Sequence, residues 1–145
     1  MKIENPYKSL TVLAENAKHS PLPINKITTP ESQLWIFSNQ LQSEIYLTCN
    51  YDIVVCDRTV VDAIAYSRYA GFNKLADSLI KVAKFHINSY NKIIFKTYKN
   101  NDYFYSDGVR AAGDDEFRKS VSDILYDTYQ YLLKSTDCEF TFEEI

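Results

Sequence analysis

The chain has only three glycines and four prolines in 145 residues. That excludes a collagen-like repeat and a Pro/Gly-rich linker. Cysteine is also scarce. Cys49, Cys56 and Cys138 are odd in number and show no C-x-x-C spacing, so they read as reduced thiols in a cytoplasmic protein. The two histidines, His19 and His86, form no pair at ligand spacing. This argues against a zinc site, and both read as structural. No run approaches the roughly 18 uninterrupted apolar residues of a membrane span. The first ten residues carry Lys2, Glu4 and Lys8 and lack the pattern of a secretory signal. The net charge is −3. It gives no global electrostatic case for nucleic acid or an anionic membrane.

What is present is core-forming. A chain that is 46% hydrophobic and 14% aromatic is too apolar to be disordered. Its length suits one domain, read as residues 1–145.

The segments alternate in type. Ser9–Ala14 is a short β-prone run, followed by a loop with Pro21 and Pro23. Thr29-Pro30-Glu31 opens a helix, with Thr29 as cap and Pro30 at the first helical position. Leu34, Phe37, Leu41 and Ile45 then predict one buried helical face. Tyr51–Asp57 is the most strand-like piece. Its unbroken apolar run Ile53–Cys56 predicts a strand buried on both faces of a parallel sheet. A helix from about Val60 to Tyr69 ends near Gly71. A second helix, capped by Asn73, carries Leu75, Leu79, Val82 and His86 on one face. Lys92–Thr97 is a strand, and residues 100–113 are a polar, aromatic loop. Asp114 caps a long helix with Phe117, Val121, Ile124, Leu125, Thr128 and Leu132 inside. Cys138–Phe142 alternates like a last strand.

The order β-α-β-α-α-β-loop-α-β predicts an α/β fold, a mainly parallel sheet with flanking helices. Ligands in such sheets sit at the carboxyl ends of the strands. That singles out Glu15, Asp57, Arg58 and the loop after Thr97. An acid after a strand can hold Mg²⁺, and an adjacent arginine can grip a phosphate or hydroxyl.

The stretch Asp57-Arg58-Thr59-Val60-Val61-Asp62-Ala63-Ile64-Ala65-Tyr66 resembles the D-R-[ST]-x-x-D-x-x-A-Y pattern of the P-loop nucleoside and nucleotide kinases. It looks closest to the small AAA-type NTPases related to nicotinamide riboside kinase and thymidylate kinase. Upstream, Val12-Leu13-Ala14-Glu15-Asn16-Ala17-Lys18 looks like that family's second strand, with Lys18 where Arg is usual. Thr29–Ile36 and Glu44 resemble the helix before the D-R strand. Downstream, Tyr105-Ser-Asp107-Gly108-Val109-Arg110 with Phe117-Arg118 looks like a lid. The similarity runs from about residue 9 to residue 142.

One part of the family pattern is absent. The phosphate loop G-x-x-x-x-G-K-[ST] has no counterpart. Gly108 and Gly113 have the glycine spacing, but Asp114 and Asp115 follow them, and carboxylates repel a triphosphate. Only eight residues precede Ser9. The chain therefore looks like a P-loop kinase missing its first β-α unit. Without that unit the sheet would have a gap or two opened edges. Three routes stay open: a truncated chain, a second chain that supplies the unit, or a rebuilt sheet.

The resemblance implies roles. Asp57 would help hold Mg²⁺, and Arg58 would hold the acceptor. Glu15 would be a general base or hydroxyl clamp, and Arg110 and Arg118 would neutralise charge on ATP. The ligand would be a nucleoside or nucleotide, with ATP and Mg²⁺ as cofactors if a donor site is completed. Asp62 is expected to support the first helical turn or to pair with Arg58. The bland readings are a strand-ending turn with a surface ion pair for Asp57-Arg58, and solvated surface charges for Glu15, Arg110 and Arg118. The alternative function is a non-catalytic interaction module, a pseudo-kinase that pairs with a partner or itself. It would use the open sheet and a face with Tyr126, Tyr129 and Tyr131. Base stacking by Trp35 or by Tyr98, Tyr103 and Tyr105 is the weaker reading for those residues.

Overall fold

A computed structural model describes residues 8–97 and 115–144. Strand β1 (Leu10–Leu13) leads through two short 3-10 turns to helix α1 (Pro30–Asn50). Strand β2 (Ile53–Cys56) is followed by helices α2 (Val60–Tyr69) and α3 (Asn73–His86). Strand β3 (Lys92–Thr97), helix α4 (Asp115–Leu133) and strand β4 (Glu139–Glu144) complete the order. The α/β reading holds, and every described strand pair is parallel.

The strands form two separate pairs. β1 pairs with β2, Leu10 opposite Ile53 and Leu13 opposite Cys56. β3 pairs with β4, Lys92 opposite Glu139 and Thr97 opposite Glu144. Crossovers through helices explain the parallel sense, since parallel strands cannot be joined by a tight hairpin.

The core is built around α2. Val60, Val61, Ala63, Ile64 and Ala65 are all at most 1% exposed, because α1, α3 and α4 each pack against this helix. Phe37, Leu79, Ala83, Ile87, Ile93, Tyr129 and Leu132 close around it. Alternation on β3 sends Ile93 and Phe95 inward and leaves Ile94 exposed. Phe95 meets Tyr126 and Tyr129 of α4 edge-on. On the outer side, Lys92–Glu139 and Lys96–Glu143 pair across the strands.

Local chemistry sets the helix starts. Thr29 and Ser32 form a reciprocal capping box ahead of Pro30. Thr59 and Asp62 form a second one at α2. Gly71, with φ of 84°, takes the left-handed conformation just past α2.

Several expectations need correction. On α1 the buried residues are Ser32, Gln33, Phe37, Gln40 and Glu44, while Leu34 and Ile45 are exposed. A polar stripe faces inward because it meets polar groups there. On α3 the buried residues are Ala76, Leu79 and Ala83, and Val82 is exposed. Small side chains allow close approach to α2. The residue at the α3 cap position is Phe72, and Asn73 is already helical. Ile53 and Val55 are exposed, so β2 is covered on one face only. Tyr129 is buried, where a surface position was expected. It meets Phe95 edge-on and bonds Thr59.

Candidate functional site

The site lies where β1 and β2 end side by side. The Asp57 amide donates to the Leu13 carbonyl at 2.8 Å, so the residues after both strands leave the sheet together. This places Glu15, after β1, beside Arg58, after β2. Their closest atoms, Arg58 Nε and Glu15 Oε2, are 4.0 Å apart. Arg58 Nη1 donates to Asp62 Oδ1 at 3.4 Å.

Arg58 holds a positive φ of 81°. A non-glycine residue there is strained and persists only when its surroundings fix it. The fixing contacts are visible. The Gln40 side-chain amide donates to the Arg58 carbonyl at 3.2 Å, and Gln40 Oε1 accepts from Asn16 Nδ2 at 2.9 Å. Buried Gln40 thus ties both post-strand loops to α1. On the other side, Asp62 Oδ2 accepts from the Thr59 amide at 2.9 Å. The Thr59 hydroxyl shares a hydrogen bond with Tyr129 of α4. Asp62 therefore fills both roles expected of it.

Burial opposes the charge on Arg58, yet Asp62, Tyr66, Glu15 and Asp57 outweigh it and hold the guanidinium above its ordinary value. Burial raises Asp62 above the usual carboxylate range, and Arg58 and the Thr59 amide oppose that rise. The pair is a fixed cation beside a partly desolvated acid.

Two spaces adjoin Arg58. A small cavity of about 40 Å³ is lined by Glu15, Asn25, Gln33, Gln40, Arg58 and Tyr66, among others. Gln33 is 2% exposed. Its Nε2 donates to Thr28 Oγ1, while its buried Oε1 has no hydrogen-bond partner among the described residues. A buried unpaired acceptor is costly unless something donates to it. Beyond the cavity runs an open groove of about 1890 Å³ between β2, β3 and α4. Asp57, Arg58 and Arg118 all line it.

The expected site residues are thus partly assembled. Glu15, Arg58 and Asp62 converge, with Asp57 exposed at the groove. Arg118 sits on α4, half-buried, and borders the same groove. Arg110 lies outside the described residues, as do the lid stretch 105–110 and Tyr98, Tyr103 and Tyr105. Among the described residues no three His, Cys, Asp or Glu side chains gather to hold a metal. A Mg²⁺ ion held there would have Asp57 as one carboxylate ligand and would take most of its other oxygens from phosphate and water.

Gln33 and Gln40 were missed from the sequence. A signal existed: Gln33, Phe37, Gln40 and Glu44 fall at helical spacing, on one face of α1. Polar residues so placed point to partners inside the protein.

A comparison with family models matches residues 14–136 to the AAA domain. The chain belongs to this AAA domain family, a P-loop NTPase-like family. The matched span includes Glu15, the Asp57-Arg58-Thr59 turn and α4. No curated protein and no solved structure matches the chain. No helix among the described residues is long and apolar enough to cross a membrane.

Proposed function

We propose that this chain binds a nucleoside or nucleotide as the acceptor side of a kinase-like NTPase domain, and that it does not transfer phosphate alone. The observation that carries this reading is the Glu15–Arg58 juxtaposition at the paired strand ends. The 4.0 Å separation is too long for a direct hydrogen bond and suits a ligand hydroxyl bridging the two groups. Glu15 would accept that hydroxyl's proton or orient it, and Arg58 would hold a phosphate or a second oxygen. Gln33 Oε1 would accept from a ligand N–H. Asp57 would hold Mg²⁺ on the groove side. Arg118, with Arg110, would offset charge on the donor phosphates. ATP would need a phosphate loop that the sequence does not carry.

The test is thermal unfolding against nucleosides, nucleoside monophosphates and Mg-ATP. A ligand at about 100 times its Kd adds roughly 2.7 kcal/mol and raises the melting temperature. A rise with one nucleoside or monophosphate, lost in Arg58→Ala and reduced in Gln33→Leu, is expected. No rise with any of them would sink the reading. ATP hydrolysis by the lone chain, abolished by Asp57→Ala, would overturn the claim about phosphate transfer.

A second reading, the non-catalytic pseudo-kinase that pairs with a partner, is favoured by one specific observation. Leu10, Val12, Ile53 and Val55 form an exposed apolar face on the β1–β2 pair.

A further inference from the structure

Helix α1 differs from α3 and α4 in the face it leaves outside. A surface helix ordinarily sets charged residues opposite its buried stripe. α3 does so with Lys74, Lys81 and Lys84, and α4 with Lys119, Asp123 and Asp127, all exposed. α1 does not. From Ser32 to Asn50 it holds one charged residue, Glu44, and that residue is buried, at 2% exposure. The outer flank of α1 instead carries Leu34 and Ile45, 48% and 49% exposed. Exposed Ser38 and half-buried Leu41 lie between them. At 3.6 residues per turn these four fall within an arc of about 60°.

Their intervals are four, three and four, the spacing of a helix–helix seam. The series reads the same in both directions. Place two such helices antiparallel about a two-fold axis between residues 39 and 40. Leu34 then meets the partner's Ile45, and Ser38 meets the partner's Leu41. We infer that α1 pairs in this way with α1 of a second copy of the chain. Three observations choose this occupant. A flank with a palindromic spacing is complementary to itself, as an isologous interface requires. The flank lacks charge, which is the mark of an interface core, and so offers nothing to select an oppositely charged partner. Small Ser38 opposite Leu41 lets the two helices approach closely. The direction follows from Glu31, exposed at the start of α1. A parallel pair would set Glu31 against the partner's Glu31, a like-charge contact. The antiparallel pair sets it against the partner's Thr48. Phe85 of α3, 85% exposed, adds to the surface. It precedes His86, whose Nε2 lies 3.1 Å from Glu44. That contact brings Phe85 to the Ile45 end of the seam, where it would add apolar area to the interface. This inference goes beyond the nucleotide reading and does not depend on it.

The test is sedimentation equilibrium of the intact chain from about 1 μM to about 1 mM. A reversible dimer is expected. Ile45→Lys and Leu34→Glu, both at exposed positions, should each weaken self-association about tenfold or more. An equimolar mixture of the two variants should dimerise about tenfold more tightly than either alone. In that heterodimer the introduced lysine faces the introduced glutamate at one end, and Leu34 still faces Ile45 at the other. A parallel pair gives no such rescue, because position 45 then faces position 45. Circular dichroism checks that each variant folds. Ser38→Arg, at the centre of the seam, asks the same question should either fail to fold.

A chain that stays monomeric throughout the range would overturn the inference. So would a dimer that neither substitution weakens, since the pairing would then use another face, and so would a mixture that shows no rescue. Neither variant alters Glu15 or Arg58, so this inference and the nucleoside reading fail separately.

Discussion

The Gln40 side chain donates to the backbone carbonyl of Arg58 at 3.2 Å. That bond fixes the residue whose backbone is strained and whose guanidinium meets both site acids. Replacing Gln40 by leucine leaves the Arg58 carbonyl and the Asn16 amide without this partner. A loss of about 1–3 kcal/mol is expected for stranding buried polar groups. Urea unfolding measures it, and a neutral result would show that Gln40 does not restrain the loop.

Arg58 separates strain from charge. Arg58→Ala removes the guanidinium and keeps a side chain at a φ of 81°. Arg58→Gly removes the same group and relieves the conformation. The glycine variant should be more stable than the alanine variant by about 1 kcal/mol. Both should lose the nucleoside-dependent rise in melting temperature. Equal stability would mean that the left-handed backbone is not held in solution.

Core and open-face positions should respond oppositely to truncation. Ile64 is 0% exposed at the centre of α2, and Ile64→Ala should cost about 2–5 kcal/mol. Val55 is 50% exposed, and Val55→Ala should stay within about 0.5 kcal/mol in the isolated chain. A large loss at Val55 would show that its face is already covered.

Alkali should weaken the fold. The Cys56 thiol is pushed up to about 11 from 9.0, chiefly by burial and further by Glu44. The folded chain therefore holds this proton more tightly than the unfolded chain does. Stability is fully present below pH 9.0 and falls as pH rises toward about 11. Burial raises the Tyr90 and Tyr129 hydroxyls as well, with the same sign. Urea midpoints should drop across this window, and less steeply in Cys56→Ala. Equal slopes would assign the effect to the tyrosines.

The D-R-T turn was legible because its chemistry is local. A strand ends, Thr59 caps α2, and Asp62 closes the box within three residues. Strands β2 and β3 were legible from β-branched and apolar runs, and the end of α2 from its terminal glycine. The buried face of α1 was not. Leu34 and Ile45 carry the apolar period, but the partners of Gln40 and Glu44 come from distant segments, Asn16 with Arg58 and Tyr90 with His86, while Gln33 bonds Thr28 just ahead of the helix. A hydropathy stripe cannot show such pairing. The division into two strand pairs was not legible either, because no local pattern in β2 or β3 shows which strand each edge pairs with.

Thr59 and Tyr129 share a hydrogen bond across 70 positions of chain. Loop closure over that span precedes the contact, so the turn carrying Arg58 reaches its final geometry only after α4 has docked. Contacts of such high sequence separation slow folding. The turn carrying Arg58 is therefore expected to form late in folding rather than in its nucleus. A ligand that needs Arg58 in place will slow unfolding more than it speeds folding.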